Sequence, residues 1–123
     1  MDKTYWGYHL TVDAANPKLE WIQDGRRIAD FAKELVKRID MVAYGDPVVV
    51  SFGSGNKAGY TLVQLIETSN ICAHFVEDDG LGGTAFYLDV FSCKTFDQQA
   101  VLDCCHEYFG DTKDTTQYFT RQA

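Results

Sequence analysis

Nothing in this sequence approaches the roughly twenty consecutive apolar residues that a helix needs to cross a bilayer. The opening stretch, Met1 to Trp6, is polar and lacks the apolar run of a secretory signal. Basic charge is also in short supply: 11 Lys and Arg stand against 18 Asp and Glu, for a formal net charge of −7. Nucleic acid and anionic membrane surfaces would be repelled by that balance, so neither is an expected partner. The basic residues Arg26, Arg27, Lys33, Lys37 and Arg38 fall on one expected helix among acids and read as a solvated face. Four cysteines, Cys72, Cys93, Cys104 and Cys105, form no C-x-x-C pair and have no His at zinc spacing, which excludes a disulfide framework and gives no metal site. Reduced thiols point to a reducing compartment, and a cytoplasmic location is expected. Two familiar catalytic signatures are missing as well. The glycine-rich run Gly53 to Gly59 lacks the G-x-x-x-x-G-K-[ST] spacing and precedes strand-like sequence, so it reads as a hairpin turn and not a phosphate cradle. The G-x-S-x-G elbow of a serine hydrolase is absent.

What is present suffices for one domain, residues 1–123, with 46% apolar residues to fill a core and no repeat or linker to divide it. Tyr5 to Asp13 is aromatic and β-branched and predicts a first strand, broken by Asn16-Pro17. Apolar residues at three and four spacing (Ile28, Phe31, Ala32, Leu35, Val36, Ile39) predict an amphipathic helix between about Trp21 and Ile39. Strands are expected at Val48 to Phe52, Tyr60 to Ile66, Asn70 to Val76 and Ala85 to Phe91, with Glu67, Thr68 and Ser69 forming a sharp joint between the middle two. Asp97 is placed to cap a second helix that Gly110 closes, and Thr115 to Arg121 reads as a last edge strand. Hairpin-length links favour antiparallel pairing. The expected fold is therefore α+β, a two-layer α/β sandwich with two helices packed on one face of a mostly antiparallel sheet. The other face, rich in aromatics, asks for a partner or a ligand, and a homodimer is expected.

Among the titratable groups, His9 reads as a half-buried strand residue with its ring hydrogen-bonded, and His106 as a helix-surface residue. Cys104 and Cys105, neighbours on one helix, read as small fillers that cannot both face the core. His74 stands apart, because it follows a corner carrying two hydroxyls and lies five residues after Ser69.

The run Glu67-Thr68-Ser69-Asn70-Ile71-Cys72-Ala73-His74, followed by Leu88-Asp89-Val90-Phe91-Ser92-Cys93, resembles the short, single-domain bacterial S-adenosylmethionine decarboxylase proenzymes. That family shows a Glu-Ser pair, a His five residues after the Ser, and a D-V-F-T-C segment. Gly7-Tyr8-His9-Leu10 looks like its opening G-x-H strand, and Thr61, eight residues before Ser69, falls where the family has a hydroxyl that helps processing. The resemblance implies a chain that makes its own cofactor. Ser69 would attack the preceding carbonyl, cutting the chain between Thr68 and Ser69 and leaving a pyruvoyl group, with His74 moving the proton and Thr61, Thr68 and Glu67 in support. Cys93 would protonate the substrate carbon after carbon dioxide leaves. Substrate contacts are expected from Phe75, Glu77 and Asp13, and the acidic loop Glu77-Asp78-Asp79 suits a cationic substrate.

The sequence also departs from the family pattern. Thr68 stands where the family has Glu, Phe75-Val76-Glu77-Asp78 replaces an aromatic-Pro-Glu run, and Lys94 replaces a glycine. Three readings follow: a decarboxylase of S-adenosylmethionine in polyamine synthesis, the same chemistry on ornithine or arginine, or an unprocessed relative that acts as a binding module.

Overall fold

The strand-forming runs pair into one antiparallel sheet whose order is β2-β3-β4-β5-β1-β6. The computed structural model describes residues 4–67 and 69–123, with Phe52 described by its backbone alone. Along the chain come β1 (Gly7–Ala15), α1 (Leu19–Ile22), α2 (Gly25–Arg38) and β2 (Val48–Phe52). A short 3-10 turn at Gly55–Lys57 leads into β3 (Gly59–Ile66), β4 (Ser69–Val76), β5 (Ala85–Ser92), α3 (Gln98–Phe109) and β6 (Lys113–Arg121). This is the α+β sandwich that the element order predicts.

The single helix expected between Trp21 and Ile39 is divided into α1 and α2. Asp24 is the cause, since its carboxylate accepts hydrogen bonds from the backbone N–H of Arg26 and Arg27 at 3.1 Å, starting a new helix. Asp97 does the same for α3, accepting from Gln99 and Ala100, and Gly110 ends that helix with φ 96°.

Because side chains alternate along a strand, each strand offers one set to the helices and one to the opposite face. Leu10 and Val12 of β1, Ile71, Ala73 and Phe75 of β4, and Phe86, Leu88 and Val90 of β5 face the helices and are buried. Ile28, Phe31 and Leu35 of α2 and Val101 and Phe109 of α3 meet them. Phe109 is the hub, with ring centroids 4.9 Å from Phe31, 5.0 Å from Phe75 and 5.3 Å from Phe86.

Cys104 and Cys105 correct an expectation, for both are fully buried. α3 packs alongside α2 and, through Phe109, against Phe75 and Phe86 of the sheet, so two adjacent positions about 100° apart can both be covered. His106 is not a plain surface residue either; its Nε2 lies 2.7 Å from Asp114 Oδ2 at the start of β6.

Among the described residues no helix covers the second face, and the strand register lays its side chains out in rows. One row runs Thr61, His74, Tyr87, Asp13, Thr115; the next runs Cys72, Asp89, Thr11, Gln117; a third runs Asn70, Phe91, His9, Phe119. Aromatic rings are there as expected, set among hydroxyls, imidazoles and carboxylates. Among the described residues no helix is long and apolar enough to cross a membrane.

Candidate active site

The β3–β4 hairpin fixes the site. Ile66 pairs with Ser69, which leaves Glu67 and Thr68 as a two-residue connection and makes Ser69 the first residue of β4. β5 lies on the other side of β4, with Asn70 opposite Phe91, so the residues that follow β5 arrive beside Ser69. The contact is direct: the backbone N–H of Cys93 donates to Ser69 Oγ at 3.0 Å. Ser92 Oγ accepts from the N–H of Lys94 at 3.1 Å, holding the chain as it leaves the sheet. A hollow of about 210 Å³ opens here, lined by Met41, Val42, Glu67, Ser92, Cys93 and Lys94. Cys93 is exposed and forms no disulfide. Thr68, expected to support processing and to precede the scissile bond, lies outside the described residues.

At the far end of the same hairpin a second pair forms. Thr61 stands opposite His74, and Thr61 Oγ1 shares a hydrogen bond with His74 Nδ1 at 3.2 Å. A cleft of about 370 Å³ surrounds them, walled by the loop before β3 and the loop after β4. Tyr87 closes its side.

Ser69 and Cys93 are thus brought together, as are Thr61 and His74, but the two pairs are not brought to each other. Five residues of extended strand span roughly 17 Å, and odd spacing puts Ser69 and His74 on opposite faces of the sheet. Within one chain His74 does not reach the Ser69 hydroxyl.

The expected substrate contacts scatter. Phe75 is 2% exposed, because strand parity sends it into the core against Phe86 and Phe109, away from any ligand on the uncovered face. Glu77 turns toward α1, where Gln23 Nε2 donates to its carboxylate at 3.4 Å. Asp13 does lie on the uncovered face, between Tyr87 and Thr115, in a shallow depression shared with Lys113.

One cluster escaped sequence reading. His9 has the ring hydrogen bonds expected of it, and its partners are Asp89 Oδ1 and Arg121 Nη1, each at 3.2 Å, with the imidazole 4.8 Å from the Phe119 ring. These residues meet through the β1–β5 and β1–β6 registers, and no local pattern signals such a meeting. Asp89 also acts on Cys72 next to it: burial first, and then this carboxylate, push the Cys72 thiol pKa up.

The family model described as S-adenosylmethionine decarboxylase matches residues 8–122 of the 123-residue chain. No curated protein sequence matches it.

Proposed function

Since the chain belongs to the S-adenosylmethionine decarboxylase family, we propose that it is a pyruvoyl-dependent carboxy-lyase, cytoplasmic, that releases carbon dioxide from S-adenosylmethionine and so feeds aminopropyl groups into polyamine synthesis. The observation that carries this reading is the Ser69–Cys93 contact at the hairpin corner. Ser69 is the first residue after a two-residue connection and its oxygen accepts a backbone N–H, which supports reading its hydroxyl as the nucleophile that attacks the preceding carbonyl. The residues present therefore fit a carbonyl group generated from Ser69. Once formed, the pyruvoyl group supplies an electron sink for loss of the carboxylate.

The other steps fall to the chain's own side chains. The Cys93 thiol, at the same corner, delivers a proton to the substrate carbon. Thr61 and His74 move the proton of the Ser69 hydroxyl, and the strand length between them requires a second copy to supply the pair. Two chains facing each other across their uncovered sheet faces, with strands running in opposite senses, would bring the Thr61–His74 end of one to the β3–β4 corner of its partner. There the Ser69 side chain, directed to the helix side, would have to swing round the end of the sheet to meet the pair. A homodimer with two shared sites is part of this proposal, and the polar rows of that face are its interface.

Intact-mass spectrometry under denaturing conditions, beside a Ser69→Ala control, tests the reading. The expected result is two fragments divided before Ser69, the later one carrying a ketone, with the control uncut. A single 13.9 kDa species that persists through long incubation would overturn self-processing.

A further inference from the structure

The cleft around Thr61 and His74 carries a charge that the decarboxylase reading has not used. Lys57 ends the 3-10 turn at Gly55–Lys57 and lines the cleft together with Asn56, Thr61, His74 and Asp79. The wall that presents it is tied down. Glu77 N–H donates to Ala58 O at 3.4 Å, and Gly59, with φ 154°, packs so closely against Phe75 O that a Cβ there would stand 1.8 Å from it. Across the cleft, Asp79 turns one oxygen to its own loop: Oδ1 accepts from the N–H of Leu81 at 2.7 Å and of Gly83 at 3.0 Å. Lys57 has no ion pair among the described residues. The cleft therefore offers one uncommitted cation, with a side-chain amide and a hydroxyl beside it, in a space the size of a small organic molecule.

We propose that this cleft takes the carboxylate of the amino-acid substrate, with Lys57 as the specificity-determining residue that reads it. An ammonium with neighbouring neutral donors is suited to a carboxylate, since charge-assisted hydrogen bonds are the strong ones. Loss of that carboxylate as carbon dioxide removes the group Lys57 holds, so the amine product binds more weakly than the substrate and leaves. Placing a substrate here rests on the decarboxylase reading and on its two-chain site, in which this cleft serves the partner's Ser69–Cys93 corner; the anion preference of the cleft rests on Lys57 and its surroundings alone.

The test uses two probes that differ only in the carboxylate, L-methionine and 3-(methylthio)propylamine. Each is titrated at low salt into the full chain, into Lys57→Gln, and into Lys37→Gln, a control on α2, with binding followed by calorimetry or NMR shifts. Methionine should bind the unmodified chain more tightly than the amine does and about tenfold more weakly to Lys57→Gln. Amine binding should be the same in all three proteins, and Lys37→Gln should match the unmodified chain for both probes. No methionine binding to the unmodified chain, equal methionine affinity with and without Lys57, or amine binding as tight as methionine would each overturn the proposal. Neither readout needs a processed chain. A protein that fails the intact-mass test yet keeps Lys57-dependent methionine binding loses only the decarboxylase reading, whereas a processed protein with Lys57-independent binding loses only this one.

Discussion

The two faces of the sheet use the same alternating strands for different ends. On the helix side the central strands β1, β3, β4 and β5 bury mostly apolar residues, with Gln64 and Ser92 as buried polar ones, and the rings of Phe31, Phe75, Phe86 and Phe109 interlock. On the uncovered side the intervening residues are His9, Thr11, Asp13, Thr61, Cys72, His74, Tyr87 and Asp89, arranged in rows by register. Packing is concentrated on the first face, while the second carries the Thr61–His74 pair and the His9–Asp89 contact, with Ser69 at the end of β4 on the first; substitutions of Phe109 and of His74 should therefore damage different things.

The largest stability effect is expected at the hub of the covered face. Phe109→Ala should cost about 3–5 kcal/mol, read from the shift of the urea midpoint at constant slope. A loss below about 1 kcal/mol would mean that the two faces do not divide as described.

Next in size is an alkaline effect confined to the same face. Burial pushes the Cys104 thiol up to about 12, and burial likewise raises Cys105 well above its ordinary value. The folded chain then keeps protons that the unfolded chain releases above pH 9. Stability is fully present below pH 9 and falls between 9 and 12, by on the order of 1 kcal/mol per pH unit for each buried thiol. Thermal melts at pH 8 to 11 should show that slope, and Cys104→Ala/Cys105→Ala should flatten it; Tyr108 and Tyr118, both raised by burial, leave a remainder. An unchanged slope in the double variant would assign the effect elsewhere.

The smallest stability effect belongs to the uncovered face. His74→Ala should move the urea midpoint by no more than about 0.5 kcal/mol, because His74 is exposed, while abolishing the two-fragment pattern in the intact-mass measurement. Loss of stability comparable to Phe109→Ala would place His74 among the packing residues.

Much of this contrast was legible from the sequence, for specific reasons. Period-two and period-three-to-four patterns gave the strands and helices, and Asp97 and Gly110 marked the bounds of α3. The pairing of Thr61 with His74 was also within reach: once Glu67 and Thr68 are read as a two-residue connection, antiparallel register places the two opposite each other. Taking Ser69 and His74 as partners because they are close in sequence overlooked how far a strand travels in five residues. Other features depend on elements distant in the chain and leave no local trace. The burial of both Cys104 and Cys105 needs α2 alongside α3. The His9–Asp89–Arg121 cluster needs β5 and β6 on either side of β1, and the division of α1 from α2 turns on which way the Asp24 side chain bonds.

Under the proposed two-chain site, the separation of Ser69 from His74 along β4 would have a genetic consequence. Alleles damaged at one end of the strand and alleles damaged at the other would behave as different complementation groups within a single gene. A chain without the Ser69 hydroxyl still carries a sound Thr61–His74 pair, and a chain without His74 still carries a sound Ser69 corner. Mated in one cell, two individually dead alleles would rebuild one working centre in each mixed pair, so loss of function at this locus would be recessive in a pattern set by position along one strand.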